Sequence, residues 1–126
     1  MTGKMSGVSE AFQVFLDSAP KHAAAWLAAV QGLDVASALD KKTAHLAYLA
    51  VLAGLRLESG VPFHVKLAKG AGASRDEVIS AVLVGLPAAG VAVTQVLPAA
   101  IQAYDSECLT VVRWPVRSRL TAFSGR

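Results

Sequence analysis

Apolar residues recur at intervals of three and four along most of the chain, and this spacing predicts a series of short helices. The first helix carries Phe12, Phe15 and Leu16 on one side. Ser9 precedes it, and its hydroxyl can accept a hydrogen bond from a free backbone amide of the first turn. Pro20 ends this helix.

A second helix is predicted from Lys21 to about Leu33, with an apolar stripe formed by Trp26, Leu27 and Val30. Gly32 and Asp34 are expected to end it, because glycine adopts the left-handed conformation that often closes a helix.

The segment 40–72 predicts a helical hairpin. Asp40 can cap a third helix that runs to about Leu57. Alanine dominates this helix and charge is confined to its two ends, which is typical of a helix buried on nearly every side. A turn at 59–62 leads to a fourth helix, with Pro62 in its first turn and His64 near its start.

A fifth helix is predicted after the glycines at 70 and 72. Ser74 and Glu77 have the spacing of a capping box, in which each side chain binds the other residue's backbone amide. The segment 78–104 that follows contains no charged residue and is long enough to span a bilayer. Pro87 and Gly90 interrupt it, so we expect two buried helices split at 86–90 and no membrane span.

These elements predict an all-α bundle of about five to six helices with a central hairpin. Its 126 residues form a single domain with a core at 8–105 and a tail at 106–126. The tail has some strand character at 110–116. Because 54% of the residues are hydrophobic and only 17% charged, a domain of this size is expected to bury apolar surface against other copies of itself.

Charge and cysteine content exclude several functions. The net charge is +3, but much of the basic excess lies in the tail, at Arg113, Arg117, Arg119 and Arg126. Without a basic stripe and aromatic platforms, nucleic-acid binding is not expected. Cys108 is the only cysteine, so no intrachain disulfide or paired-thiol metal site can form. The histidines have no metal-ligand spacing, and we expect a cytoplasmic protein without metal or cofactor.

The segment LDKKTAHLAYLAVLAGLRLESGVPFHVKLAKGAGASRDEVISAVL resembles the carboxymuconolactone decarboxylase family, which includes the AhpD-like alkylhydroperoxidases. The resemblance rests on Leu39 with Lys42, the alanine-rich helix, the turn at 57–60, His64, and the motif at 71–78. It implies an AhpD-like all-helical subunit that assembles into trimers or hexamers.

The peroxidase branch of that family has a C-x-x-C pair before the histidine and a glutamate twelve positions before the first cysteine. Those positions are Leu57, Gly60 and His45 in this chain. Reduction of a hydroperoxide requires a thiolate and a second thiol that resolves the oxidised sulfur. Thiol peroxidase activity is therefore not expected.

The decarboxylase branch lacks the cysteines and has a glutamate and a histidine that match Glu58 and His64, whereas 59, 60 and 62 depart from its turn. Loss of carbon dioxide from a small carboxylated lactone needs cationic groups to hold carboxylates and an acid to protonate the remaining carbon. The resemblance implies His64 as proton donor and Glu58 as its orienting group. Arg56 or Lys66 would hold the carboxylate.

Each candidate also has a structural interpretation. His64 and His45, the latter also a candidate catalytic residue, are both compatible with core histidines, while Glu58, Arg56 and Lys66 are compatible with solvated surface charges. If the hairpin turn centres near 57–58, His64 lies level with Val51, and no direct hydrogen bond to His45 is expected. Two hypotheses remain: a cofactor-free acid–base enzyme, or a non-catalytic oligomeric protein of the same fold.

Overall fold

The computed structural model of the protein describes residues 7–106, and within this range every regular element is helical. The elements in chain order are α1 (Glu10–Ser18), α2 (Pro20–Ala36), α3 (Lys41–Leu55), α4 (Val61–Gly70), α5 (Arg75–Leu83), α6 (Leu86–Ala89) and α7 (Leu97–Asp105), with 3₁₀ segments at Glu58–Gly60 and Val91–Val96. The predicted all-α fold with a central hairpin is confirmed. The tail from 107 onward, with its predicted strand character, lies outside the described residues.

The predicted helix starts are confirmed by their capping hydrogen bonds. The Ser9 hydroxyl accepts from the backbone amide of Phe12 at 3.2 Å. A carboxylate oxygen of Asp40 accepts from the amide of Thr43 at 2.9 Å. Each bond satisfies a backbone donor that the first turn of a helix leaves without a partner.

The capping box before α5 is complete. The Ser74 hydroxyl accepts from the Glu77 amide at 3.1 Å, and the Glu77 carboxylate accepts from the Ser74 amide at 2.8 Å. The other carboxylate oxygen of Glu77 lies 3.0 Å from the ammonium of Lys42 on α3. The box therefore also connects α5 to the hairpin.

The end predicted for α2 is wrong. The helix continues through Gly32 and Asp34 to Ala36, and Ser37 follows in extended conformation. Glycine inside a helix costs about 1 kcal/mol relative to alanine. That penalty weakens a helix but does not end it when the residues on both sides favour helix.

The third helix ends at Leu55, earlier than predicted, because Arg56 adopts a left-handed conformation with φ of 57°. The Leu57 amide donates to the Leu52 carbonyl at 2.9 Å, and the Arg56 amide donates to the Ala53 carbonyl at 3.1 Å. This pair of bonds is a Schellman motif. Glycine usually occupies this left-handed position, so an arginine there is not recognisable as the end of a helix from sequence.

The uncharged segment 78–104 is more broken than the two predicted helices. It contains the end of α5, the short α6, a 3₁₀ segment and α7, and Gly90 with φ of 78° separates α6 from the 3₁₀ segment. Pro87 and Pro98 lie in the first turns of α6 and α7, where a missing amide is tolerated. Among residues 7–106, no helix combines the length and apolar character needed to cross a membrane.

The core lies between α3, α4, α5, α7 and the second 3₁₀ segment, which pack against one another. Its fully buried large side chains are Leu49, Val61, Val65, Val78, Val82, Val93 and Val96. The prediction that α3 is buried on nearly every side is wrong for the single chain. Tyr48, Val51 and Leu55 are exposed on the part of α3 that α4, α5 and the second 3₁₀ segment leave uncovered.

The helices α1 and α2 pack mainly against each other and contribute little to this core. Only Ala23 of α2 is buried, whereas Trp26 is 53% exposed and Leu33 70% exposed. A 17-residue helix therefore presents large apolar side chains to solvent in the isolated chain. Such a surface is unusual for a monomeric domain and is typical of an interaction site.

Candidate functional site

The imidazole of His64 lies between aromatic rings at the hairpin. Its neighbours in α4, Val61 and Val65, are fully buried and anchor the start of this helix in the core. The Tyr48 ring of α3 lies nearly parallel to the imidazole, with centroids 4.0 Å apart and planes at 25°. The Phe63 ring meets the imidazole edge-on at 5.2 Å and 88°.

The register of the hairpin differs from the sequence-based estimate. His64 lies against Tyr48, one turn closer to His45 than the predicted level of Val51. Tyr48 and His64 are equidistant in sequence from Arg56, so the left-handed residue is the centre of the turn. The estimate failed because it placed the centre near 57–58. Within the described residues no hydrogen bond joins His45 and His64.

His64 is held in a neutral state at ordinary pH. Burial lowers its pKa from the usual 6.5, and the nearby His45 lowers it further because two positive charges would repel. Its Nδ1 is buried and has no hydrogen-bond partner within residues 7–106. A protonated imidazole would leave an unpaired N–H at that atom. The neutral ring has one N–H and one bare nitrogen, and with Nδ1 buried, Nε2 is the nitrogen that remains to exchange a proton with a bound molecule.

The three charged candidates are placed differently from the histidines. Glu58 lies in the exposed 3₁₀ turn and Arg56 is exposed at the end of α3. Within the described residues, neither forms a hydrogen bond or ion pair with His64. Lys66 lies two positions after His64, so their side chains leave α4 in different directions, and its ammonium lies beside Gly7. His45 thus lies near enough to lower the pKa of His64, whereas within residues 7–106 no hydrogen bond or ion pair links Glu58 or Arg56 to the imidazole.

A second concave surface lies on the opposite side of α3. It is an open groove of about 500 Å³ between α3 and α5, lined by Thr43, Leu46, Ala47, Ala50, Asp76, Glu77, Ser80, Ala81 and Val84. No histidine lines it, and Glu77 is already engaged by Lys42 and the capping box. Among residues 7–106, no cluster of three or more histidine, cysteine or acidic side chains is arranged to hold a metal ion.

Sequence analysis missed Tyr48 and Phe63. Phe63 is adjacent to His64 in sequence, and Tyr48 follows His45 by about one helical turn. A hairpin centred on Arg56 would have paired Tyr48 with His64. That centre was not visible, because arginine rarely adopts the conformation found here. The site therefore contains the neutral imidazole of His64, packed between Tyr48 and Phe63, with His45 close enough to lower its pKa.

Comparison with known proteins agrees with this helical hairpin. The model of the carboxymuconolactone decarboxylase family matches residues 20–103, about two thirds of the chain. No curated protein sequence and no solved structure gives a significant match. The match includes α2 to α4, the 3₁₀ turn, and the two candidate residues His45 and His64. The chain therefore belongs to the carboxymuconolactone decarboxylase family.

Proposed function

We propose that the protein catalyses cofactor-free acid–base chemistry of the decarboxylase type on a small carboxylated or lactone-like molecule, with His64 as the proton carrier. The observation that carries this proposal is the state of His64. It is a partly buried imidazole with a lowered pKa and one nitrogen sealed away from solvent. Perturbed titratable groups of this kind concentrate at functional sites.

The chemistry balances with His64 and water alone. When the carbon–carbon bond to the carboxylate breaks, carbon dioxide leaves and the electron pair remains on the carbon, stabilised by the lactone carbonyl. The imidazolium then gives its proton to that carbon and returns to the neutral form, which regains a proton from solvent. An anionic substrate close to His64 raises the imidazole pKa, which opposes the effect of burial. Binding of the substrate would therefore promote the protonated form that the reaction uses.

The other candidates have secondary roles in this proposal. His45 influences the charge of His64 from the facing helix. Arg56 and Lys66 would hold the substrate carboxylate from the rim of the site, and Glu58 would orient His64 or the substrate. A small movement of the turn on binding would be required for Arg56 and Glu58, since both are exposed in the free chain. Thiol peroxidase chemistry is not proposed, because Leu57 and Gly60 occupy the two cysteine positions.

The test is release of carbon dioxide from carboxymuconolactone and related carboxylated lactones in deuterated water. We expect carbon dioxide in equal amount to a product that carries one deuterium at the carbon that had borne the carboxylate. Arg56→Gln and Lys66→Gln are expected to raise KM more than they lower kcat, whereas Lys41→Gln, at the far end of α3, serves as a matched control. Failure of all such substrates to lose carbon dioxide would contradict the proposal.

A second candidate function is that of a non-catalytic oligomeric binding protein. It is favoured by the observation that Arg56, Glu58 and Lys66 do not converge on the imidazole of His64. Under this alternative the aromatic cluster is part of the packing, and His64→Ala changes stability or assembly without removing a reaction.

We also propose that the chain assembles with itself as a trimer or hexamer. The support is the exposed apolar surface of α2, whose charged residues lie only at its two ends. A second copy is the occupant that fits, because every copy carries the same unpartnered apolar surfaces. Sedimentation of the wild type is expected to show a trimer or hexamer. Leu33→Glu is expected to shift it toward monomer, with Lys21→Glu as the control, and a monomeric wild type would contradict the proposal.

A further inference from the structure

We infer that Tyr48 is a positioning residue for His64: its ring fixes the plane of the imidazole, and in this plane Nδ1 is buried. This inference rests on the proposed function for its catalytic meaning. Its structural part concerns the orientation of one side chain and can be tested without a substrate.

The contact geometry supports a specific clamp. The Tyr48 and His64 planes differ by 25° at a centroid distance of 4.0 Å, so the two rings overlap face to face. Phe63 adds an edge-on contact at 88°. Rotation of the imidazole out of this plane about its χ2 torsion would break the stacking with Tyr48, whereas a half-turn, which exchanges the two edges of the ring, would preserve it. Aromatic pairs of this kind stabilise their arrangement beyond simple burial.

The location of Tyr48 indicates that packing of the core is not its main role. Its neighbour Leu49 is fully buried, whereas Tyr48 is 48% exposed and covers His64 from the outer face of α3. The described hydrogen bonds include none from the Tyr48 hydroxyl. The aromatic ring, and not the hydroxyl, is therefore the part that acts on His64.

The site also depends on the register of the hairpin. Tyr48 and His45 lie about one turn apart on α3. Tyr48 stacks on the imidazole of His64, and His45 lowers the pKa of the same imidazole through its charge. A side chain at 48 without a flat face would leave His45 in place but allow the His64 ring to rotate. Loss of Tyr48 is therefore expected to change the orientation of His64 more than the stability of α3.

The test compares Tyr48→Phe, which keeps the ring, with Tyr48→Leu, which removes it. The chain has three histidines, so His64→Gln assigns the His64 signals in a ¹H–¹³C spectrum of the labelled protein. We expect the ring protons of His64 to be shifted upfield by Tyr48 in the wild type and in Tyr48→Phe. In Tyr48→Leu they should move downfield, toward the positions of His22, an exposed histidine of α2. Val51→Ala, on the same exposed face, is the control that leaves them unchanged.

The kinetic expectation follows from the strength of an aromatic pair. The kcat of Tyr48→Leu should fall about two- to tenfold while KM changes little, and Tyr48→Phe should restore it. If Tyr48→Leu loses its helical circular dichroism, Tyr48→Gln provides the same test with a side chain suited to an exposed helix position. Unchanged His64 signals in a folded variant without the ring would overturn the inference. A further outcome is that the His64 signals change in Tyr48→Leu and not in Tyr48→Phe while His64→Gln keeps full activity. In that case the positioning role of Tyr48 stands and the proposed function fails.

Discussion

Two residues of the hairpin have unusual states that local sequence does not explain. His64 is neutral because burial and His45 both oppose its positive charge. Arg56 has a positive φ of 57°, a conformation that places a side chain close to its own carbonyl. The state of His64 matters for the proposed chemistry, and the conformation of Arg56 forms the turn that brings Tyr48 to His64. Each can be tested separately.

The state of His64 has a consequence for stability against pH. In the unfolded chain its pKa is near 6.5, and in the folded protein it is lower, so below pH 6.5 the unfolded state takes up the proton first. The free energy of unfolding should therefore fall as the pH decreases from 7 through the folded pKa. His64→Gln should make this fall shallower between about pH 7 and 5 in urea denaturation. An identical pH dependence in both proteins would show that His64 is not held neutral by the fold.

Carboxylates contribute in a different range. Hydrogen bonds to Thr43 lower the pKa of Asp40, and hydrogen bonds to Ser74 and Lys42 lower that of Glu77. The side-chain hydrogen bond from Arg75 does the same for Asp105. Their stabilisation is complete above their ordinary pKa values, 4.5 or less, and is lost only as the pH falls through the lower folded values. Between pH 7 and 5, the pH dependence of the free energy of unfolding therefore reports on histidine and not on these carboxylates.

Replacement of Arg56 by glycine should stabilise the fold. The left-handed conformation costs a non-glycine residue about 1–2 kcal/mol, and the greater freedom of glycine in the unfolded chain offsets part of this gain. We expect Arg56→Gly to raise the free energy of unfolding by about 0.5–1 kcal/mol in urea denaturation. Arg56→Ala is the control and should change it little, since alanine has the same backbone restriction. A loss of stability in Arg56→Gly would show that the arginine side chain holds the turn.

At the scale of the elements, caps and ends explain how the hairpin is positioned. The capping box joins Ser74 to Glu77, and Glu77 reaches Lys42 on α3. At the same end of α5, its first residue, Arg75, forms two hydrogen bonds with Asp105 of α7, at 2.9 and 3.1 Å. The Tyr104 hydroxyl donates to the Ala73 carbonyl at 2.9 Å. The α4–α5 connection is thus fixed to both α3 and α7.

The capping box predicts how strongly three substitutions destabilise the protein relative to one another. Ser74→Ala should lower the free energy of unfolding by about 1 kcal/mol, because one amide of the first turn loses its acceptor. Glu77→Gln keeps a side chain able to accept from the Ser74 amide and should have a smaller effect than Glu77→Ala, which removes both that bond and the contact with Lys42. Urea denaturation of the three variants gives the order. Equal effects of Glu77→Gln and Glu77→Ala would show that only the charge matters.

These elements also show what the sequence could and could not predict. Ser9, Asp40 and Ser74 were predicted as caps because a cap depends on residues within one turn. The end of α2 and the register of the hairpin were wrong, because both depend on how neighbouring residues tolerate an unfavourable conformation at Gly32 and Arg56. The histidines were found from the family pattern. Tyr48 was not, since its role requires the distance between two helices.

At the scale of the whole molecule, residues 7–106 form a helical core with the α1–α2 pair packed outside it. The core is formed by α3, α4, α5 and α7, whereas α2 buries only Ala23 in the isolated chain. The family match covers the hairpin, in which positions 57 and 60 are leucine and glycine. Proton transfer at His64 and assembly through α2 are separate proposals. A variant can therefore alter one and leave the other intact.

The measurement that tests the account most directly is the rate of carbon dioxide release by His64→Gln, with His22→Gln as the matched control. Both substitutions remove an imidazole, but His22 lies exposed on α2, away from the hairpin. We predict that His64→Gln lowers kcat at least about 100-fold, as expected for loss of a general acid–base, while its sedimentation stays that of the wild type. His22→Gln should keep both activity and assembly. Full activity in folded His64→Gln would contradict the account.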